Sequence, residues 1–179
     1  MTNSITFSPL KDTDLQYACQ LYEEAFPIEE RRDTSEWLLQ NKQNPLFNIL
    51  CIKQDQTFQG ILCYWTFESF HYIEHFAISP QQRGNGIGSA ALDLFTTTRT
   101  QYPIVLEVEP DVNDTTNRRI LFYKKHRFHI INHPYLQPPY HEGDTFFPLN
   151  IMCDDANFAN NNFDNIVKTI HHQVYHYIK

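Results

Sequence analysis

Arg83-Gly84-Asn85-Gly86-Ile87-Gly88-Ser89 is the stretch from which the rest of the chain is read. The sequence holds five glycines in all, and three of them fall inside these seven residues. Glycine tolerates backbone conformations that other residues avoid, so this clustering marks a place where the main chain turns sharply. Ahead of it, Tyr72–Ile78 has the alternation of a strand. Behind it, Ile87, Ala90/Ala91, Leu94 and Phe95 share one face of a helix. The first N–H groups of a helix lack internal acceptors and sit at the positive end of its dipole. A glycine turn placed there therefore suits a pyrophosphate.

Three phosphate-binding schemes compete for this turn. A nucleotide-triphosphate loop needs a lysine after its last glycine, and none is present. A dinucleotide turn needs G-x-G-x-x-G/A directly after the first strand of a βαβ unit, with an acid ~20 residues on. Glu107 or Glu109 could supply the acid, but position 89 is Ser and Ser79–Arg83 separate Ile78 from the first glycine. A dinucleotide-binding oxidoreductase remains the alternative. The third pattern, R/Q-x-x-G-x-G/A, is met by Arg83, Gly86 and Gly88.

Outward from the turn, the chain reads as strands and helices with no repeat and no linker. Ile5–Phe7 begins a strand. Leu15, Ala18/Cys19, Tyr22 and Phe26 recur at helical spacing, with Asp12 or Thr13 as cap, and Pro27 stops that helix. The charged run Glu29–Asp33 leads to a second short helix through Trp37, Leu38 and Leu39, and Glu29 and Glu30 read as solvated charges. Phe47–Ile52 and Phe58–Phe67 form an antiparallel hairpin around a polar turn. In the next strand, His71–Ile78, regular alternation sends Tyr72, Glu74, Phe76 and Ile78 one way and Ile73, His75 and Ala77 the other. Ile104–Val108 is a buried strand, Thr116–His126 a helix, and Phe128–Ile131 and Phe146–Met152 strands. Asn157–Asn162 reads as a loop before a closing helix from Asp164, with Ile166, Ile170, Val174 and Ile178 at i, i+4 spacing.

Composition bounds the answer. At 179 residues one domain is the default, able to bury roughly 70% of its unfolded surface. A net charge of −7 leaves no basic surplus to displace phosphate counterions, which speaks against a nucleic-acid partner. No run of ~18 apolar residues is present, so no membrane span is expected, and the first ten residues lack the pattern of a secretory signal. Cys19, Cys51, Cys63 and Cys153 have no metal-ligand spacing and sit mostly among apolar neighbours, which favours reduced thiols in a cytoplasmic protein. His172 and His176 stand four apart, but no H-E-x-x-H and no third ligand accompany them, so no metal site is expected.

The glycine segment, the preceding Tyr72-Ile73-Glu74-His75-Phe76-Ala77-Ile78 and Leu121-Phe122-Tyr123-Lys124-Lys125-His126-Arg127-Phe128 together resemble the GNAT superfamily of N-acetyltransferases. The second of these looks like the strand that carries the cofactor, and the third like an F-Y-x-x-x-G-F signature. The resemblance implies an α/β, three-layer fold: a mixed, mostly antiparallel sheet of about six to seven strands with helices on both faces. Residues 1–179 would form a single acetyltransferase domain, the family-like part covering about 4–153 and an extra helix about 164–178. Two positions depart from the signature. Thr116 stands where Asn is usual, with Asn117 one step off, and Arg127 replaces the glycine before Phe128. If that turn needs positive φ, Arg127 occupies a costly conformation.

Function follows as an implication of the resemblance: transfer of acetyl from acetyl-CoA to a primary amine by direct attack. The cofactor-binding residues would be Phe76, Ala77, Ile78, Arg83, Gly84, Asn85, Gly86, Ile87, Gly88, Ser89, Asn117 and Tyr123. The Ile78 amide would stabilise the oxyanion. An alkylamine is protonated at pH 7, so a base is required. Glu74 is the first candidate, in an apolar setting expected to raise its pKa, with Glu109 and Glu107 behind it. Tyr123 would protonate the departing thiolate, and His75 is expected to pack. Phe26, Tyr135 and Tyr140, on the two segments that build the acceptor pocket in this family, would contact a small-molecule or peptide amine. A homodimer is kept among the expectations, and a non-catalytic CoA-binding module is the remaining alternative.

Overall fold

Four strands in the first hundred positions pair side by side as an antiparallel meander. The computed structural model describes residues 4–177. The chain divides between Tyr102 and Pro103 into two compact units. In the first, β1 (Ile5–Pro9), β2 (Phe47–Gln54), β3 (Thr57–Thr66) and β4 (His71–Ile78) pair in that order, every pair antiparallel. Helices α1 (Asp12–Ala25) and α2 (Thr34–Gln43) lie between β1 and β2, and α3 (Ile87–Thr98) follows β4. Lys11, not Asp12 or Thr13, takes the N-cap position of α1. Asp12 and Asp14 fall in its first turn, where the helix dipole favours acids.

The helices cover both faces of this meander. On one, Tyr22 of α1 stacks on Trp37 of α2 with ring centroids 4.2 Å apart, and both side chains are fully buried. Taking two rings of that size out of water is worth roughly 7–12 kcal/mol as an upper estimate. On the other face, Phe95 of α3 packs edge-on against Phe7 and Tyr64. Gly60 of β3 marks a close approach: a Cβ there would stand 2.3 Å from the carbonyl oxygen of Ala77.

The regular alternation expected along β4 is broken. Cys63 pairs with His75 and Tyr64 with Ile73, so Glu74 is an extra residue in a β-bulge. Tyr72, Glu74, His75 and Ala77 consequently share the side of α1 and α2. Ile73, Phe76 and Ile78 take the other, where Phe76 and Ile78 meet Gly88 of α3. Glu74 and His75 thus lie on the same face, contrary to the period-two reading. His75 is packed as expected, its ring 5.1 Å from that of Tyr22 and 4.4 Å from that of Phe26.

The second unit contains β5 (Ile104–Val108), α4 (Asp114–Lys125), β6 (His129–Ile130), β7 (Tyr135–Gln137), β8 (Phe147–Cys153) and α5 (Ala156–Gln173). Strand β8 pairs antiparallel with β5, β6 and β7. The late loop between His133 and Tyr140 therefore contains a short strand. Tyr135 and Gln137 face inward and Leu136 outward.

Helix α4 starts at Asp114, two residues earlier than the apolar spacing suggests, because Asn113 and Thr116 form a capping box. Asn113 Oδ1 accepts the N–H groups of Thr115 and Thr116, and Thr116 Oγ1 accepts that of Asn113. Its end is a Schellman motif. The N–H of Phe128 returns to the carbonyl of Tyr123 at 3.1 Å, and that of Arg127 to Lys124 at 3.1 Å. Arg127 pays no regard to the usual glycine preference and stands at φ 68°.

The asparagine-rich stretch is helical, not a loop. Asp155 caps α5 by accepting the N–H of Phe158, and the amides of Asn160 and Asn162 donate to the carbonyls of Ala156 and Phe158. Ala159 is fully buried, which ties this first stretch to the core, and the helix kinks at Asn162. The closing helix thus runs from Ala156 to Gln173 instead of about 164–178, and Ile178 lies outside the described residues.

Candidate active site

The first unit carries the end of β4 and the turn into α3. After Ile78 a short 3-10 segment, Pro80–Gln82, leads to Arg83, whose Nε donates to the carbonyl of Ile78 at 3.0 Å. This clamp fixes the entrance of the glycine turn against the strand. Gly84 and Gly86 have φ of 82° and 77°, and Gly86 is the N-cap of α3. Nothing lies within 4 Å of a Cβ built at either glycine. The turn is therefore open on its outer side, and the N–H groups of Ile87, Gly88 and Ser89 form the first turn of the helix. A diphosphate fits this shape: open main chain, left-handed glycines and a helix N-terminus. Gly88 is placed differently. Its Cβ position is 3.4 Å from Ile78 Cγ1, which lets α3 settle on β4.

Behind β4 lies a charged cluster that the sequence did not announce. Arg32, from the charged run between the first two helices, is 2% exposed, and its guanidinium bonds the fully buried carboxylate of Glu74. The Trp65 indole also donates to Glu74, at 2.6 Å, and the Arg32 main-chain N–H donates to the Tyr22 hydroxyl at 3.1 Å. Burial alone would raise the Glu74 pKa. The Arg32 charge and the bonds from Trp65 and Arg32 outweigh it and hold the carboxyl below its usual range. The expected upward shift is thus reversed, because an apolar neighbourhood in sequence hides a buried cation 42 residues away. His75 Nε2 lies 3.1 Å from the Glu30 carbonyl, and burial pushes its imidazole pKa down. Phe26, half-buried, packs its ring on Tyr22 and His75.

In the second unit, Tyr123 is 8% exposed, its ring set edge-on to Phe122 and Phe128, and burial pushes its phenol up to about 12. Asn117 is exposed on α4, while its neighbour Thr116 is buried in the capping box. Glu109 pairs with Arg119 of α4 in a partly exposed setting. Glu107 accepts hydrogen bonds from two phenols, Tyr135 on one carboxylate oxygen and Tyr175 on the other, the second at 2.7 Å. Tyr140, half-buried, meets Tyr175 edge-on at 4.9 Å. Sequence reasoning named Tyr135 and Tyr140 and ranked Glu107 behind Glu74 and Glu109, but missed Tyr175. No local signal near Tyr175 points to an acid 68 positions away.

The comparisons with known proteins bear on this arrangement directly. The model of the acetyltransferase (GNAT) family matches residues 15–128, from α1 to the end of the Tyr123 signature. The chain belongs to the GNAT family. The provisionally named acetyltransferase YjbC of Bacillus subtilis (strain 168) is 32% identical over 109 residues, covering 59% of this chain and 53% of YjbC. The chain thus spans about half the length of that curated relative. A structure of a provisionally named GNAT acetyltransferase from Bacteroides thetaiotaomicron is 34% identical, with a TM-score of 0.91 over 97% of this chain and 99% of its own. Arabidopsis thaliana NAA60 in complex with acetyl-CoA shares the fold at 17% identity, with a TM-score of 0.62 over 84% of this chain and 97% of its own. The mixed α/β, mostly antiparallel GNAT fold is therefore shown, and acetyl-CoA is the acyl donor of GNAT acetyltransferases. The strand entering the glycine turn is the fourth of an antiparallel meander, and with the family match the dinucleotide reading gives way. Among the described residues no group of His, Cys, Asp and Glu could hold a metal ion, and no helix is long and apolar enough to cross a membrane.

Proposed function

We propose that this protein transfers the acetyl group of acetyl-CoA to the nitrogen of a primary amine by direct attack. The observation that carries the reading is the glycine turn, whose left-handed Gly84 and Gly86 open the main chain at the N-terminus of α3 in a chain of this family. Arg83, Asn85, Ile87, Gly88 and Ser89 complete the grip on the diphosphate, and the Phe76–Ala77–Ile78 main chain and Asn117 take further cofactor contacts. Acetyl-CoA supplies an activated acyl group and a thiolate that must be protonated.

The chain's own residues divide the remaining work. The Ile78 amide donates to the acyl oxygen as negative charge develops there. Tyr123, kept neutral by a pKa near 12, is a phenol able to give its proton to the leaving sulfur. Glu74 holds its charge against Arg32 and is ill suited to take a proton at neutral pH, so its role is to fix the segment after α1. Glu109, partly exposed, is the carboxylate through which the ammonium loses its proton by way of water. Burial pushes the thiols of Cys51 and Cys153 up to about 12 and that of Cys63 well above its usual value, which disfavours a thiolate nucleophile and supports direct attack. Four free cysteines also suit a reducing, cytoplasmic setting.

Thiol release from acetyl-CoA across a panel of amines tests the reading. Amine-dependent release with an N-acetylated product is expected. Binding of acetyl-CoA without release on any amine would reduce the protein to a cofactor-binding module, and no heat with millimolar acetyl-CoA would remove the reading altogether.

A further inference from the structure

Ten residues of the second unit, Arg118–Arg127, hold five of the chain's 14 Lys and Arg: Arg118, Arg119, Lys124, Lys125 and Arg127. No Asp or Glu occurs between Asp114 and Glu142. Elsewhere the chain is strongly acidic, since its net charge is −7 with these five cations included. Arg119 is taken by Glu109. No ion pair joins Arg118, Lys124, Lys125 or Arg127 to an acid among the described residues, and all four are exposed. Lys124 and Lys125 complement the dipole at the C-terminal end of α4. Arg118 and Arg127 have no such reason. Arg118 stands in the first half of the helix, and Arg127 holds φ 68° in the turn after it, a costly conformation for a residue with a Cβ. A strained backbone kept for an exposed side chain that forms no ion pair points outside the molecule. Arg118, Leu121, Phe122 and Lys125 follow one another at helical spacing along one face of α4. Leu121 is 55% exposed and Phe122 half-buried, so the cations flank an apolar centre.

We propose that the outer face of α4, with Arg118, Leu121, Lys125 and Arg127, docks an acidic segment of a partner protein. Carboxylates answer the cations, and an apolar side chain between them covers Leu121. The apolar centre favours a polypeptide over a nucleic acid, whose phosphates offer it no contact. A chain of net charge −7 also repels an extended polyanion or an anionic bilayer that reaches past this face. Arg118 and Lys125 are seven residues apart, about 10 Å along the helix. An extended peptide covers that distance in about three residues, so acids three positions apart with leucines between them match the face. Contacts of this kind set register and the rate of encounter more than raw affinity. The inference goes beyond the acetyl-transfer reading and does not depend on it.

The probe is an end-blocked hexapeptide, Glu-Glu-Leu-Leu-Glu-Glu, which has no amine to acetylate, set against Gln-Gln-Leu-Leu-Gln-Gln. Titration of the full chain followed by NMR is expected to show the acidic peptide bound at least fivefold more tightly at low salt and shifting the amides of α4. Most of that advantage should vanish at about 0.5 M salt. Equal binding of the two peptides, or shifts confined to other elements, overturns the proposal. The double reversal Arg118→Glu, Lys125→Glu should abolish the preference while acetyl-CoA affinity stays within twofold. Loss of acetyl-CoA affinity in that variant assigns the cations to the cofactor's phosphates and overturns the proposal. Should the double reversal not fold, Arg127→Gly decides, since it costs the turn no backbone hydrogen bond. Peptide binding should weaken at least twofold there, and unchanged binding overturns the proposal. Tighter binding at this face of a thymidine pentanucleotide, which carries the same four charges, or of phosphatidylserine vesicles also overturns it. So does self-association of the wild type that the double reversal removes, because the face then belongs to a second copy of the chain. No arm uses a reacting amine, so failure of docking and failure of acetyl transfer are read separately.

Discussion

Arg32 and Glu74 stand 42 positions apart and meet as an ion pair whose side chains are 2% and 0% exposed. Removing one partner strands a charge in the interior. Arg32→Ala and Glu74→Ala should each cost about 3–5 kcal/mol of unfolding free energy, whereas a paired Arg32→Met and Glu74→Leu replacement should lose less than the two alanine losses added together. Urea denaturation of the four proteins measures this. Because the folded pKa of Glu74 is depressed, its contribution is complete above the ordinary value of 4.5 and disappears as pH falls through the lower folded value. The stability gap between wild type and Glu74→Gln should therefore be flat from about pH 6 to 9 and close only in acid.

Tyr123→Phe removes a phenolic proton while keeping the ring against Phe122 and Phe128. Turnover should fall by about 10²–10⁴-fold, with the affinity for acetyl-CoA changed little. Since burial raises the phenol to about 12, the wild type should show no loss of activity from ionisation of this group up to about pH 10. Steady-state kinetics across pH, compared with calorimetric binding of acetyl-CoA, check both halves; equal turnover in the two proteins removes Tyr123 from the chemistry.

Gly84→Ala and Gly86→Ala meet open space, so their cost is conformational: an alanine at φ near 80° loses about 1–2 kcal/mol. Acetyl-CoA should bind roughly tenfold more weakly to each, by calorimetry, with the melting temperature down by only a few degrees. Gly60→Ala is the contrast. Its Cβ would press on the Ala77 carbonyl at 2.3 Å, so stability should drop by about 1–3 kcal/mol or more as β3 and β4 shift apart.

Arg127→Gly should stabilise the protein. Arg127 sits at φ 68° in a Schellman turn whose hydrogen bonds are all in place, so glycine relieves strain without losing a backbone contact. The expected gain is about 1 kcal/mol, or roughly 2–4 °C by calorimetric melting. A lower melting temperature for the variant would mean that the arginine side chain contributes more than its backbone costs.

What could be read in advance was local. The glycine turn stood out because a chain with five glycines spent three in one place, and Arg127 because it occupied a glycine position at a helix end. The strands of the meander followed from their apolar runs and the polar turn between them. What could not be read depended on partners distant in the chain. The bulge at Glu74 is defined by its register against Cys63 and Tyr64. The burial of Arg32, and with it the direction of the Glu74 pKa, is set by a carboxylate and an indole on other strands. Asn157–Asn162 looked like a loop because asparagine is a poor helix former, yet the Asp155 cap and the buried Ala159 draw it into α5. Tyr135 looked like an open loop residue because prolines flank it, yet three residues sufficed to pair with β8.

The bulge in β4 has a further result. Counted along the ladder, Glu74 is a supernumerary position: excise it and the remaining side chains of β4 keep their sides, in an uninterrupted pleat. The inserted residue is thus the same one that brings the negative charge for Arg32. Lengthening the strand by one amino acid, instead of exchanging one for another, is how this molecule houses an acid inside its apolar interior.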